Sequence, residues 1–189
     1  MPLRLNIVVA STRPGRVGIK VADWFHGIAL EDGGFDVRFV DLVKVGLPVY
    51  DEPRHPRLQQ YEHEHTRRWS EIVAAADAYV FVAPEYNYGP TPALLNALNY
   101  VYKEWNYKPA AFVSYGGVSG GTRAVQVTKL TLTTLKMVPI MESVTIPFVA
   151  ERLKEGVFAP TDIHVESANA LLKEIRRWAE ALKPMRAAG

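Results

Sequence analysis

The side chains best suited to chemistry in this chain collect in three short stretches rich in glycine or proline. The first is Ser11-Thr12-Arg13-Pro14-Gly15-Arg16-Val17-Gly18. It suits an anionic oxygen group: Ser11 can donate from its hydroxyl, Arg13 and Arg16 can add charge-assisted bonds, and Gly15 and Gly18 let a backbone come close. A helix starting behind it would add unpaired N–H groups and a partial positive charge, which favour phosphate. The stretch is neither a G-x-x-x-x-G-K-[ST] loop nor a G-x-G-x-x-G turn, so nucleoside triphosphate and Rossmann dinucleotide readings lose support. The second stretch, Pro84-Glu85-Tyr86-Asn87-Tyr88-Gly89-Pro90-Thr91-Pro92, has its backbone restricted by three prolines. Such a rigid loop can turn several N–H groups towards a flat heterocycle, with Tyr86 or Tyr88 packing beside it. The third, Ser114-Tyr115-Gly116-Gly117-Val118-Ser119-Gly120-Gly121, carries four glycines, as a tight turn or a close approach requires. Taken singly, each stretch also reads as an ordinary turn; convergence in one crevice is what would make them a site.

Elements must bring them there. Leu3 to Ala10 is a short, β-branched apolar run, as expected of a strand buried on both faces. Val17, Val21, Trp24, Phe25 and Ile28 recur at helical spacing until Gly33-Gly34. Phe35 to Val40 reads as a second strand, and the proline-rich Gly46 to Pro56 as a loop. Leu58, Tyr61, His65, Trp69, Ile72 and Val73 mark a second helix, and Ala78 to Ala83 a third strand ended by Pro84. Pro92 to Trp105 reads as a helix with proline in its first turn, and Ala110 to Tyr115 as the fourth strand. Val125 to Leu135 alternates apolar and polar residues, which locally favours a strand. Yet it lies between the fourth strand and the strand-like Met137 to Ile146, and parallel neighbours need a crossover, usually a helix. A helix is therefore expected. Val165, Ala168, Leu171, Leu172, Ile175, Trp178, Ala179 and Leu182 outline a final amphipathic helix.

This alternation predicts one α/β domain over residues 1–189: a doubly wound, five-stranded parallel sheet in the order 2-1-3-4-5, with helices on both faces. Its crevice lies at the switch point between strands one and three, and the three stretches follow strands one, three and four.

The totals narrow the chemistry. With no cysteine among 189 residues, disulfides, iron–sulfur clusters and thiolate nucleophiles are excluded, so redox work needs a bound cofactor. The 22 basic residues nearly balance 20 acidic ones, for a formal net charge of +2, which argues against nucleic acid or an anionic membrane as the main partner. Neither a membrane span nor a signal peptide is read, and a cytoplasmic location is expected.

Other residues invite duller readings. Glu62-His63-Glu64-His65 resembles a metal cluster, but residues two apart on a helix face different ways, so a solvated helix face is expected. Asp41 reads as a loop cap; His26, His55 and His164 receive no role. Trp24, Trp69 and Trp178 are expected in the core, whereas Trp105, Tyr107 and the segment Leu47-Pro48-Val49-Tyr50 are candidates for a subunit contact.

The segments ASTRPGR, PEYNYGPTPALLNAL and SYGGVSGG resemble the phosphate loop, the isoalloxazine loop and the glycine-rich third loop of the NADPH-dependent FMN reductase family, the flavodoxin-like quinone, chromate and azo reductases. The resemblance spans residues 3 to 182, and its PEYN-type loop is the most specific part. It implies FMN as cofactor and NAD(P)H as co-substrate, with hydride passed through flavin N5 to a small acceptor: a quinone, azo compound, metal oxyanion or free flavin. By the same resemblance Ser11, Arg13 and Arg16, with Gly18, hold the FMN phosphate. Pro84, Glu85, Tyr86 and Asn87 line the flavin ring with Tyr88 nearby, and Ser114, Tyr115, Gly116 and Gly117 close its other edge. Many relatives carry Ser and Asn where this chain has Arg16 and Gly18; Arg16 substitutes an ionic contact, while Gly18 offers backbone only. No protein acid or base is required, since the cofactor carries the chemistry. Backbone N–H groups of the second and third stretches are expected to stabilise charge growing at flavin N1 and the C2 oxygen. A homodimer or homotetramer is implied. The alternatives are a flavodoxin-type electron carrier serving protein partners, which the balanced charge disfavours, and a flavin-free regulatory domain.

Overall fold

The computed structural model describes residues 2–187. Its frame is a parallel sheet of β1 (Arg4–Val9), β2 (Asp36–Asp41), β3 (Ala78–Pro84), β4 (Pro109–Tyr115) and β5 (Val138–Ile146), in the spatial order β2-β1-β3-β4-β5. This is the expected flavodoxin-like arrangement, with its switch point between β1 and β3. Strand periodicity sorts the core in two. Leu5, Ile7 and Val9 face one side, where α1 (Gly18–Asp32) and α6 (Asp162–Ala187) supply Val21, Phe25, Leu171 and Ile175. Val8, Phe81 and Phe112 face the other, against Trp69 of α3 (Glu64–Ala74), Leu94 and Leu98 of α4 (Pro92–Asn99) and Leu132 of α5 (Thr122–Thr134). β3 and β4 are buried at every position, as central parallel strands must be.

The ambiguous segment is helical, as topology requires. Ala124, Val125, Thr128 and Leu132 form the buried stripe of α5, and Thr128 donates its hydroxyl to the Ala124 carbonyl at 2.7 Å. The strand-like alternation came from apolar residues that stay outside, Val127 and Leu130.

Several expectations need correction. The helix at Pro92 stops at Asn99, and a separate 3-10 turn, Lys103–Trp105, follows. That turn swings Trp105 inward: it is fully buried, packs edge-on against Trp69 and Tyr79, and donates its indole N–H to the Leu98 carbonyl at 3.1 Å. Trp105 is therefore core and not a subunit contact. Trp178 is the reverse, 39% exposed on α6. The second helix starts at Glu64, with Leu58 exposed in a short 3-10 turn before it. His63 precedes the helix, so the helical argument for separate faces fails: its ring stacks on His65 at 5.1 Å, and Asp51 bonds to both imidazoles. Unforeseen was a small hairpin, β6 (Leu153–Lys154) with β7 (Val157–Phe158), whose Phe158 packs on Trp24.

Candidate active site

β1, β3 and β4 end side by side, and their following loops meet above them. The first loop runs into α1, whose N-cap position is Val17, a residue with no side-chain acceptor. The leading amides of α1 are thus left uncapped, and an uncapped helix start attracts anions. Ser11 is buried, and its hydroxyl lies 3.2 Å from that of Tyr86. Arg13 is exposed above. Arg16 turns aside: it makes a bidentate pair with Asp41 at 2.6 and 2.5 Å and donates to the Ser11 carbonyl at 2.7 Å. Burial alone would raise the Asp41 carboxyl, but Arg16 and the Val43 amide hold it below the usual carboxylate range. Asp41, read from sequence as a loop cap, instead caps the short helix Leu42–Val45 (α2) by accepting from Val43 N–H, and it is also the partner that braces the first loop.

The second loop folds back at Tyr86–Gly89, whose backbones exchange bonds at 2.9 Å in both directions. Asn87 and Tyr88 between them both have left-handed backbones, φ 48° and 67°, as in a type I′ turn. Non-glycine residues held there carry strain, a feature concentrated at ligand sites. Glu85 is committed to partners within the protein. Its carboxylate accepts from the Ser119 hydroxyl at 2.9 Å and from the Arg123 guanidinium at 2.8 Å, joining the second loop to the third and to α5. Burial opposes its ionisation, yet those bonds keep its carboxyl below the ordinary range. Arg123 in turn lies 4.3 Å from the Tyr88 ring centre. The third loop is pinned by Gly116 N–H to Ile146 and by Phe148 and Val149 N–H to Gly117 and Gly116. The amides of Glu85, Tyr86, Gly89, Gly116 and Gly120 are thereby spent within the protein. Those of Asn87, Tyr88, Gly117 and Val118 have no partner among the described residues, and they are the donors left for a ligand.

A cavity of about 130 Å³ lies where the loops converge, lined by Ser11, Arg13, Arg16, Pro84, Tyr86, Tyr115 and Gly116, with Val17 and Val149. Larger hollows exist, one of about 850 Å³ beside Tyr50, Arg57 and Tyr102; the smaller one lies at the uncapped start of α1 and beside Tyr115. Tyr115 was expected at the flavin edge. Its side chain instead runs beneath the first loop, where the Ser11 hydroxyl is a polar neighbour but no hydrogen bond of ordinary geometry forms among the described residues; the Ser114 hydroxyl is likewise unbonded. Gly18 explains itself here: a Cβ on it would collide with the Tyr115 hydroxyl and sit 3.5 Å from Ser11 Cβ.

The residues fit FMN. A phosphate would meet uncapped amides, Arg13 and the Tyr115 hydroxyl, and a planar ring would meet free amides at the Asn87-Tyr88 turn and at Gly117. Sequence reasoning missed Asp41, Ser119, Arg123, Val17 and Val149. Val17 and Ser119 lie within the first and third stretches but carry no signal of their own, while Asp41, Arg123 and Val149 act through partners distant in the chain.

Residues 3–151 match the family of NADPH-dependent FMN reductases. A fission yeast (Schizosaccharomyces pombe) relative, an NAD(P)H-dependent FMN reductase, is 35% identical over 160 residues, covering 83% of this chain and 79% of its own length. An NAD(P)H-dependent FMN reductase of Saccharomyces cerevisiae is 34% identical over 182 residues, covering 90% and 95%. Among solved structures, the flavoenzyme FerB, an NAD(P)H:(acceptor) oxidoreductase from Paracoccus denitrificans, superposes with a TM-score of 0.75 at 22% identity, covering 95% of this chain and 98% of that one.

Proposed function

The chain belongs to the NADPH-dependent FMN reductase family, and from that premise we propose how its residues serve the FMN-dependent reduction of small acceptors by NAD(P)H. FMN, once bound, would supply the redox chemistry, a two-electron hydride relay between NAD(P)H and the acceptor. The protein's part is to bind, orient and stabilise charge. We assign the phosphate to Ser11, Arg13 and the first amides of α1 from Gly18. Arg16, paired with Asp41, holds the loop in shape and lends the site a largely neutralised charge. Asn87 and Tyr88, with Gly116 and Gly117, flank the ring; Pro84 and Tyr86 form the wall between ring and phosphate; Ser114 and Tyr115 lie beneath. Glu85 acts as a strut between loops.

What carries this reading is the meeting of an uncapped helix start and the Tyr115 hydroxyl at one cavity between the loops, with unspent amides on the second and third loops beside it. Residues 1–189 on this reading work as one FMN-binding domain of a cytoplasmic homodimer or homotetramer. No helix among the described residues is long and apolar enough to cross a membrane. The test is direct: purified protein reconstituted with FMN is expected to be yellow, and anaerobic NADPH or NADH should bleach it, with colour restored by a quinone, azo dye or free flavin. Protein that takes up no FMN, or whose bound flavin neither pyridine nucleotide reduces, refutes the assignment.

A further inference from the structure

We propose that the Tyr115 hydroxyl is a phosphate ligand, and that through it this chain distinguishes FMN from unphosphorylated riboflavin. The proposal rests on the cofactor reading above and adds a residue role to it. Tyr115 ends β4 and is 5% exposed. Its ring belongs to the core on the α1 and α6 side, and its hydroxyl reaches the first residue of α1, Gly18. The hydroxyl occupies the space a side chain at 18 would claim, so glycine there is a condition for its placement.

A buried hydroxyl without a partner loses its bonds to water and gains nothing in exchange. Proteins rarely leave such a group unsatisfied: a ligand, an ion or a bound water completes it. Around this one stand Ser11, Arg13, Arg16 and Tyr86, all lining the same cavity. That cavity of about 130 Å³ has room for a phosphate group but not for an isoalloxazine ring. The donor is also in the right state, since burial pushes the Tyr115 phenol up and keeps its proton on. Arg16 is already committed to Asp41. Arg13, the α1 amides and neutral hydroxyls must therefore carry recognition of the anion.

The test is titration of the full-length apoprotein with FMN and, separately, with riboflavin, following quenching of flavin fluorescence. Tyr115→Phe keeps the ring and removes only the oxygen. It is expected to weaken FMN binding by about ten-fold or more, as loss of one hydrogen bond to a charged group does, and to leave riboflavin affinity unchanged. Gly18→Ala should act through the same atom by displacing the hydroxyl. In the Tyr115→Phe background it should therefore cost much less FMN affinity than it does alone. Equal losses for both flavins, no loss of FMN, or fully additive losses in the double variant each overturn the proposal while leaving the cofactor reading intact. A wild-type apoprotein that binds neither flavin overturns both.

Discussion

Arg16 and Asp41 illustrate how a residue's role depends on what it meets. Read in sequence, Arg16 is a cation in a phosphate loop; in the fold its charge is largely answered by a carboxylate 25 residues away. Lys108 is a second case, remote from the site. It is 4% exposed, and its ammonium donates to the Val73 and Ala74 carbonyls at 2.7 and 3.0 Å, closing the end of α3. Burial, with repulsion from Arg186, lowers its pKa to about 7, against opposing attraction from Asp77 and Glu104. An unfolded lysine keeps its proton to about pH 10.4. Between those values the unfolded chain binds more protons than the native one, so stability contributed through Lys108 rises with pH. Below about pH 7 the penalty is complete and constant. Urea unfolding should therefore show wild type gaining on Lys108→Met by up to about 1.4 kcal/mol per pH unit between about pH 7 and about pH 10. A gap independent of pH would show that folding does not lower the Lys108 pKa.

At the scale of elements, the site is made by strand ends and by the glycines that let loops leave them. Gly121 begins α5 with φ 85°, and a Cβ there would lie 3.0 Å from Ser114 Cβ and from the Tyr115 backbone. Gly117 has open space around its missing side chain and no left-handed φ. Gly121→Ala is thus expected to cost about 2 kcal/mol or more, from left-handed backbone strain plus the clash. Gly117→Ala should change unfolding free energy by no more than about 0.5 kcal/mol. Thermal melts of the two apoproteins compare them, and equal destabilisation would contradict this account of the third loop. The loops are also tied across elements: Thr91 caps α4 by accepting from Leu94 N–H and donates to the Ala10 carbonyl at 2.7 Å, linking the second loop to the first.

For the whole molecule, the charge balance leaves association to apolar surface. Arg123, Val127, Leu130 and Thr134 recur at helical spacing along α5, and Tyr88 packs on Arg123 at their head. Val127, Leu130 and Tyr88 are 44%, 73% and 66% exposed. This stripe continues outward from the rim of the proposed flavin site, which fits a second copy docking there. Sedimentation velocity should give a dimer for wild type and a shift towards monomer for Leu130→Glu. A wild type that sediments as monomer at all accessible concentrations removes the dimer from the proposal. Val49, 87% exposed in the segment first marked for such a contact, remains available for a second interface.

The amino-acid sequence alone determined the layers and the strand order. Runs such as Leu3–Ala10 and Ala78–Ala83 are too uniformly apolar to lie anywhere but inside a parallel sheet, and crossover geometry then leaves little choice, even for the misleading Val125–Leu135. It also located the loops that converge, because glycine, proline and hydroxyl side chains mark where backbone must bend and bind. The tertiary structure decided which atoms point where. The inward turn of Trp105, the diversion of Arg16 to Asp41 and of Glu85 to Arg123, and the reach of the Tyr115 hydroxyl to Gly18 all depend on neighbours 25 or more residues away. Local pattern carries no record of such pairings, since they are set by packing distance in space and not by spacing along the chain.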